Sequence, residues 1–345
     1  MSLGDPAARI RRSVDGDASA ALRRSVRDHD LPAALLELVE EYESLGGERS
    51  RFLWRWIHRL APRNAMPFVP DDHAATVATD KTILVLFITL LDDLVERRGD
   101  YRTFDAIAGL VRLGGADAES TVPGAADPGV DEEYAAFAAR VWRRLDDRLR
   151  RAAGHDRYAP LYRFDVRQVL AAIEYSTLAI DRPELATGSD LRRYETHNMG
   201  VCAFADVDLM YADAAPDLGG ELSTFRSAVH TAGRMARIGN WLSTWERELR
   251  EGDASSGVVV AALERGILDP GELSDLGAGP DDGEAARAVE RIEAHGLDTE
   301  LLAEWNDHHR RLAEAAGRIE AVDLGPFVEG TEDVLRYHLA SRGFK

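Results

Sequence analysis

The sequence predicts an all-α protein, on three observations. Apolar residues recur at helical spacing over long stretches, strand-type alternation is almost absent, and the breaks are short Gly/Pro/Asp-rich segments. With 345 residues, 45% of them hydrophobic, the chain is long enough to bury a sizeable core. We expect a single domain over 1–345, with a flexible segment over 1–30. At ordinary helix lengths that domain holds about ten or more helices.

The elements follow in order. The stretch LPAALLELVEEYESL (31–45) repeats leucine at helical spacing, with acids on the opposite face. The run TILVLFITL then leads through Leu91 into LDDLVERRGD (91–100), which puts Asp92, Asp93 and Glu96 at the end of a very apolar segment. Long amphipathic helices are expected over 131–153, 162–180, 224–249 and 298–322. Breaks fall at 114–129, 181–190, 215–221 and 275–285. None is distinct enough in composition to divide the chain into domains, and no internal repeat is present.

Composition excludes several function classes. There are 61 acids against 42 bases, a net charge of −19, and only two of the bases are lysine, Lys81 and Lys345. Such a surface repels nucleic acid and anionic membranes. It suits a salt-rich cytoplasm, where screening blunts the self-repulsion, and a halophilic source is expected. One cysteine, Cys202, excludes an internal disulfide. The N-terminus has no apolar core of signal-peptide length. The apolar run 83–91 falls far short of the roughly 20 residues that span a bilayer. We therefore expect a cytoplasmic protein with no membrane span.

Four Asp-Asp pairs occur, and their contexts differ. Asp71-Asp72 and Asp281-Asp282 lie in turn-rich segments, and Asp146-Asp147 lies among arginines on an ion-paired face. Only Asp92-Asp93 ends an apolar helix. Asp92 and Glu96, four residues apart, project from one helical face and can approach the same hard cation. A second stripe lies in RIGNWLSTWERELREGD, where Asn240, Thr244 and Glu248 are spaced by four and four. That spacing aligns an amide oxygen, a hydroxyl and a carboxylate, with Arg237 and Arg247 beside them. Two other features carry less. His308-His309 diverge around a helix and are read as surface, and Cys202 is read as a core residue.

The pattern DDLVE followed by NWLSTWERE and Gly252-Asp253, with Arg336-Tyr337 in VLRYHLA near the end, resembles the class I terpene synthases of microbial single-domain type. The resemblance implies an isoprenoid-synthase helical bundle around a central apolar cavity. It implies that Asp92, Asp93, Glu96, Asn240, Thr244 and Glu248 bind magnesium, about three ions around one prenyl diphosphate. Arg247, Arg336 and Tyr337 would then neutralise the leaving diphosphate. Family members carry a diphosphate-sensing arginine before the second motif. Here the family's spacing lands on Tyr194, while aligning Gly200 with the family's glycine puts Glu195 or Thr196 there, so Arg193 is the expected substitute, ahead of Arg192 and His197. Val85, Ile88 and Thr89 would line the cavity, with Phe204 and Phe327 as cation-stabilising rings. The implied activity is ionisation of farnesyl or geranylgeranyl diphosphate and cyclisation or deprotonation of the cation. The resemblance also allows a homodimer. The rivals are a prenyltransferase of the same fold and a non-catalytic helical scaffold.

Overall fold

A run of seventeen buried positions within 23 residues makes Ala74–Glu96 the spine of the protein. In the computed structural model, which describes residues 5–112, 122, 124, 127–212, 218–279 and 282–344, this helix is one of sixteen, and no strand occurs among the described residues. The helices are α1 (Pro6–Ser13), α2 (Gly16–Arg27), α3 (Ala33–Ser44), α4 (Arg51–Leu60), α5 (Ala74–Glu96), α6 (Tyr101–Arg112), α7 (Glu132–Leu149) and α8 (His155–Asp181). After them come α9 (Gly188–Tyr194), α10 (Val201–Tyr211), α11 (Leu222–Arg250), α12 (Gly257–Glu264), α13 (Pro270–Gly277), α14 (Asp282–Ala294), α15 (Leu297–Ala316) and α16 (Gly325–Ala340).

The expected helices appear with shifted ends. The stretch 162–180 belongs to a helix that starts earlier, at His155, and 298–322 stops at Ala316, with Gly317 at its end. Much of the expected break 114–129, and parts of 215–221 and 275–285 with Asp281 and the Asp282 side chain, lie outside the described residues. Within the segment expected to be flexible, 6–27 forms α1 and α2. Asp5 and Asp15 cap α1 and α2 through their carboxylates. Ala7 and Ile10 are fully buried, and α1 packs on α15 and α16. The acids and arginines of that segment hide the few apolar residues that anchor it.

Helix α5 carries an 18-residue window of mean hydropathy 1.7, enough by length and composition to cross a bilayer. Within the protein 78% of that window is buried, because α5 packs on α4, α7, α8 and α10. An all-round apolar helix is what a bundle centre requires. On the other side, α11 packs on α10, α12, α15 and α16. Between α5 and α11 lies a cavity of about 200 Å³. The chain reaches it again at a break. Helix α9 tightens into a 3-10 turn at Glu195–His197, and Gly200 takes the left-handed region (φ 65°) before α10 begins. That region is open to glycine at no steric cost.

Candidate active site

One face of α5 builds a wall of the cavity. Lys81, Val85, Ile88, Thr89, Asp92 and Glu96 follow at helical spacing and all line it. Eleven residues separate Lys81 from Asp92, so the wall runs about 16 Å from a basic end to an acidic end. The lining is completed by Ala236, Arg237, Asn240, Arg247 and Glu248 of α11, with Val334 and His338 of α16 and Phe204 of α10. The two stripes read from the sequence therefore share one cavity.

The acidic end gathers buried carboxyl groups whose protonated forms are favoured by burial. Burial raises Asp92's carboxyl well above its ordinary range, and Glu96 pushes it further, with Arg49 pulling the other way. Burial also raises Glu248, while Arg247 and Arg237 favour its charged form. Asp253 is pushed up to about 8 by burial and by Glu96 and Glu248, against two hydrogen bonds from Ser255. Two carboxylate oxygens here, Asp92 Oδ1 and Glu248 Oε2, are buried without a hydrogen-bond partner. Native proteins rarely leave such atoms orphaned, and a cation is one way to satisfy them. Carboxylate and amide oxygens of this kind are hard donors, so the residues present fit magnesium.

Three arginines line the same end. Arg49 donates through Nε to Asp93 Oδ1 at 2.8 Å and through Nη2 to Glu96 Oε2 at 3.1 Å. Burial works against its charge, but Glu96, Asp93 and Asp92 outweigh it. Arg237 donates to Asn240 Oδ1 at 2.7 Å and to Glu195 Oε2 at 2.5 Å, while its buried Nε has no partner. Arg247 lies beside Glu248 Oε1 at 3.6 Å and pairs with Glu251. Trp241 closes the corner: its Nε1 donates to Ser255 O at 3.0 Å. A Cβ on Gly257 would sit 2.5 Å from the Trp241 ring, so only glycine fits there.

Six residues assigned from the sequence do not line the cavity. Asp93 lies about 100° around α5 from Asp92, where Tyr42 Oη donates to it at 2.6 Å and Arg49 pairs with it. Thr244 is buried with its hydroxyl donating to Asn240 O at 2.8 Å, a contact within its own helix. Helix α16 turns Val334 and His338 to the cavity, so Arg336 and Tyr337 face elsewhere. Arg336 pairs with Asp333, and the Tyr337 hydroxyl accepts from Arg59 at 3.2 Å. Phe327 is 2% exposed in the core, about 10 Å along α16 from Val334. Arg193 sits on the solvent side of α9, over the Tyr194 ring.

Other residues were not assigned from the sequence. Glu195, fully buried, stands where an arginine was sought, accepting from Ser176 Oγ at 2.6 Å and pairing with Arg237. Its cationic partner comes from α11. Nothing near Arg49 in sequence marks it, because its partners lie over forty residues later. At the basic end, Lys81 donates to Asp208 at 2.8 Å and to Asn64 O at 3.0 Å, with Phe204 alongside. Burial lowers Lys81, and burial raises Asp208 to about 6 despite Lys81.

The same arrangement of helices recurs in known structures. A polyprenyl synthetase from Streptomyces coelicolor A3(2) is 15% identical over 97% of each chain, with a TM-score of 0.57. The chain has the isoprenoid-synthase fold. A geranylgeranyl pyrophosphate synthase from Corynebacterium glutamicum, solved with isoprenyl diphosphate and magnesium, is 14% identical over 99% of this chain and 100% of that one, at 0.56. A polyprenyl synthase from Caulobacter crescentus CB15, solved with calcium and isoprenyl diphosphate, is 14% identical over 99% and 100%, at 0.51. No protein-family model and no curated protein matches the chain. These neighbours are prenyl synthases and not terpene cyclases, and at these identities the likeness extends to the fold alone.

Proposed function

We propose that the protein is a magnesium-dependent isoprenoid synthase that ionises a prenyl diphosphate at the acidic end of the cavity. The observation that supports it most is the pair of orphaned oxygens, Asp92 Oδ1 and Glu248 Oε2, on two helices that line one apolar cavity. Asp92 and Glu96 from α5, with Asn240 and Glu248 from α11, would hold the metal. Bound magnesium supplies Lewis-acid neutralisation of the departing diphosphate. Arg49, Arg237 and Arg247 bind phosphate oxygens, and the free Nε of Arg237 offers a buried donor. Val85, Ile88 and Leu60 keep water from the hydrocarbon, and the Phe204 face lies where positive charge can be stabilised.

Two fates of the allylic cation divide the readings. Transfer to a second prenyl diphosphate is supported by the three solved neighbours above, each a prenyl synthase matched over nearly the full chain. Cyclisation or deprotonation is supported by the Asn240/Thr244/Glu248 stripe, which offers one carboxylate where an elongating enzyme would be expected to use an aspartate cluster. We rank transfer first, because the likeness extends along the whole chain and the stripe covers one helix.

Purified protein incubated with geranyl, farnesyl and geranylgeranyl diphosphates, with and without magnesium and isopentenyl diphosphate, separates the readings. A longer prenyl diphosphate formed only with isopentenyl diphosphate supports transfer. Extractable hydrocarbon or alcohol formed without it supports cyclisation. Folded protein that neither binds nor cleaves any of these substrates would leave only the scaffold reading.

A further inference from the structure

Outside the central cavity, the break between α9 and α10 gathers three residues far apart in sequence. His197 ends the 3-10 turn, Cys202 lies in the first turn of α10, and His230 projects from α11. One ligand atom from each falls within 4.8 Å of the other two. Cys202 Sγ and His230 Nδ1 are 3.3 Å apart, and the two imidazoles meet edge to face at 5.6 Å. Tetrahedral zinc, with Zn–S near 2.3 Å and Zn–N near 2.0 Å, sets its ligand atoms about 3.3–3.6 Å apart. A shift of about 1 Å therefore suffices to bring these three to that spacing.

From this geometry we infer that His197, Cys202 and His230 form a site for a borderline-soft divalent cation, zinc in the first place, distinct from the hard-cation end of the cavity. The donor set of one thiolate and two imidazoles selects against magnesium. The fourth position opens outward. A surface cavity of about 300 Å³ is lined by His197 and His230 together with Arg192, Arg193 and Arg234, so water or a small anion reaches the metal there. Burial and neighbouring cations lower both histidines, which keeps them in the neutral form that ligates. Arg226 and Arg234 oppose the dication, while Asp165 and the new thiolate favour it. Cys202 is held as the thiol by burial, so metal binding displaces one proton from it.

The site would clamp both sides of the break at Gly200. Asn198 and Met199, between His197 and Cys202, line the central cavity. A metal there fixes that wall from behind, without touching the diphosphate end.

The test uses the full chain, stripped with chelator and titrated with cobalt in excess magnesium. The expected result is one equivalent of cobalt with tetrahedral d–d bands and a thiolate charge-transfer band, both displaced by zinc. The band is lost in Cys202→Ser. His230→Asn weakens cobalt at least tenfold, the lower end of what even outer-shell partners cost. Asp92→Ala leaves the band intact. Zinc raises the thermal midpoint of the wild type and not of Cys202→Ser. Helical circular dichroism shows that each variant is folded. No charge-transfer band at micromolar cobalt, an octahedral spectrum, or unchanged affinity in His230→Asn overturns the inference.

Discussion

Arg237 of α11 reaches across to Glu195 in the turn before α10, Nη2 to Oε2 at 2.5 Å, with both side chains buried. This pair joins the break in the bundle to the helix that carries Asn240 and Glu248. Burial opposes the charge of Arg237, and Glu195, Glu248, Glu96 and Asp253 together outweigh that cost. We expect Arg237→Ala to cost about 3–5 kcal/mol, as for a broken buried pair. It should also weaken magnesium-dependent diphosphate binding. Chemical denaturation and calorimetry of the same variant measure the two effects.

Asp92 and Asp93 are adjacent and should fail differently. Asp92→Asn removes a carboxylate with an orphaned oxygen, so diphosphate release should fall at least about 100-fold while stability holds or rises. Asp93→Asn breaks hydrogen bonds to Tyr42 and Arg49 and should cost about 1.5–3 kcal/mol. Steady-state kinetics with thermal melts on both variants check the contrast. Equal loss of stability in the two would contradict the assigned faces.

Magnesium affinity should rise with pH. Asp92, Glu248 and Asp253 have carboxyls raised mainly by burial, the last to about 8, so each holds its proton above the ordinary carboxylate range. Those protons oppose a cation, so binding strengthens as pH rises, up to at least about 8. Titrations between pH 6 and 9 measure the slope, and Asp253→Asn should flatten its upper part.

At the far end of the cavity, Lys81→Met would strand Asp208. The loss should be about 3–5 kcal/mol, with Lys81→Met/Asp208→Leu recovering much of it. Denaturant midpoints of the single and double variants give the coupling.

Helix α16 crosses the turn at Ala61–Asn64 so closely that a Cβ on Gly330 would lie 1.9 Å from the Arg63 carbonyl oxygen. Gly330→Ala must push α16 away, at about 1–3 kcal/mol for overpacking. Because α16 also presents His338 and Val334 to the cavity, substrate affinity should fall with stability. Unchanged melting would mean that the two backbones are not held this close.

Much of the fold is legible in the sequence because helices announce themselves locally. The leucine spacing of α3, the apolar run of α5 and the long periodic stretch of α11 each depend on neighbours within a few turns. The stripes Asp92/Glu96 and Asn240/Glu248 are legible for the same reason, since residues four apart share a face whatever the helix packs against. The packed N-terminal helices were not, because only Ala7 and Ile10 of the charged α1 reach the core. The faces of Asp93, Arg336 and Tyr337 were not either, since a family pattern gives order along the chain and not rotation about a helix.

By itself the sequence determined the long helices α3, α5, α7, α8, α11 and α15 and the two oxygen-bearing stripes, all properties of short-range periodicity. Tertiary structure alone decided that both stripes meet at one cavity. It also decided that Arg49 pairs with Asp93 and Glu96, that Arg237 pairs with Glu195, and that His197, Cys202 and His230 converge behind the break. Those are contacts between segments tens to hundreds of residues apart. Packing of the bundle sets them, and no local pattern of side chains encodes which distant partner a charge will find.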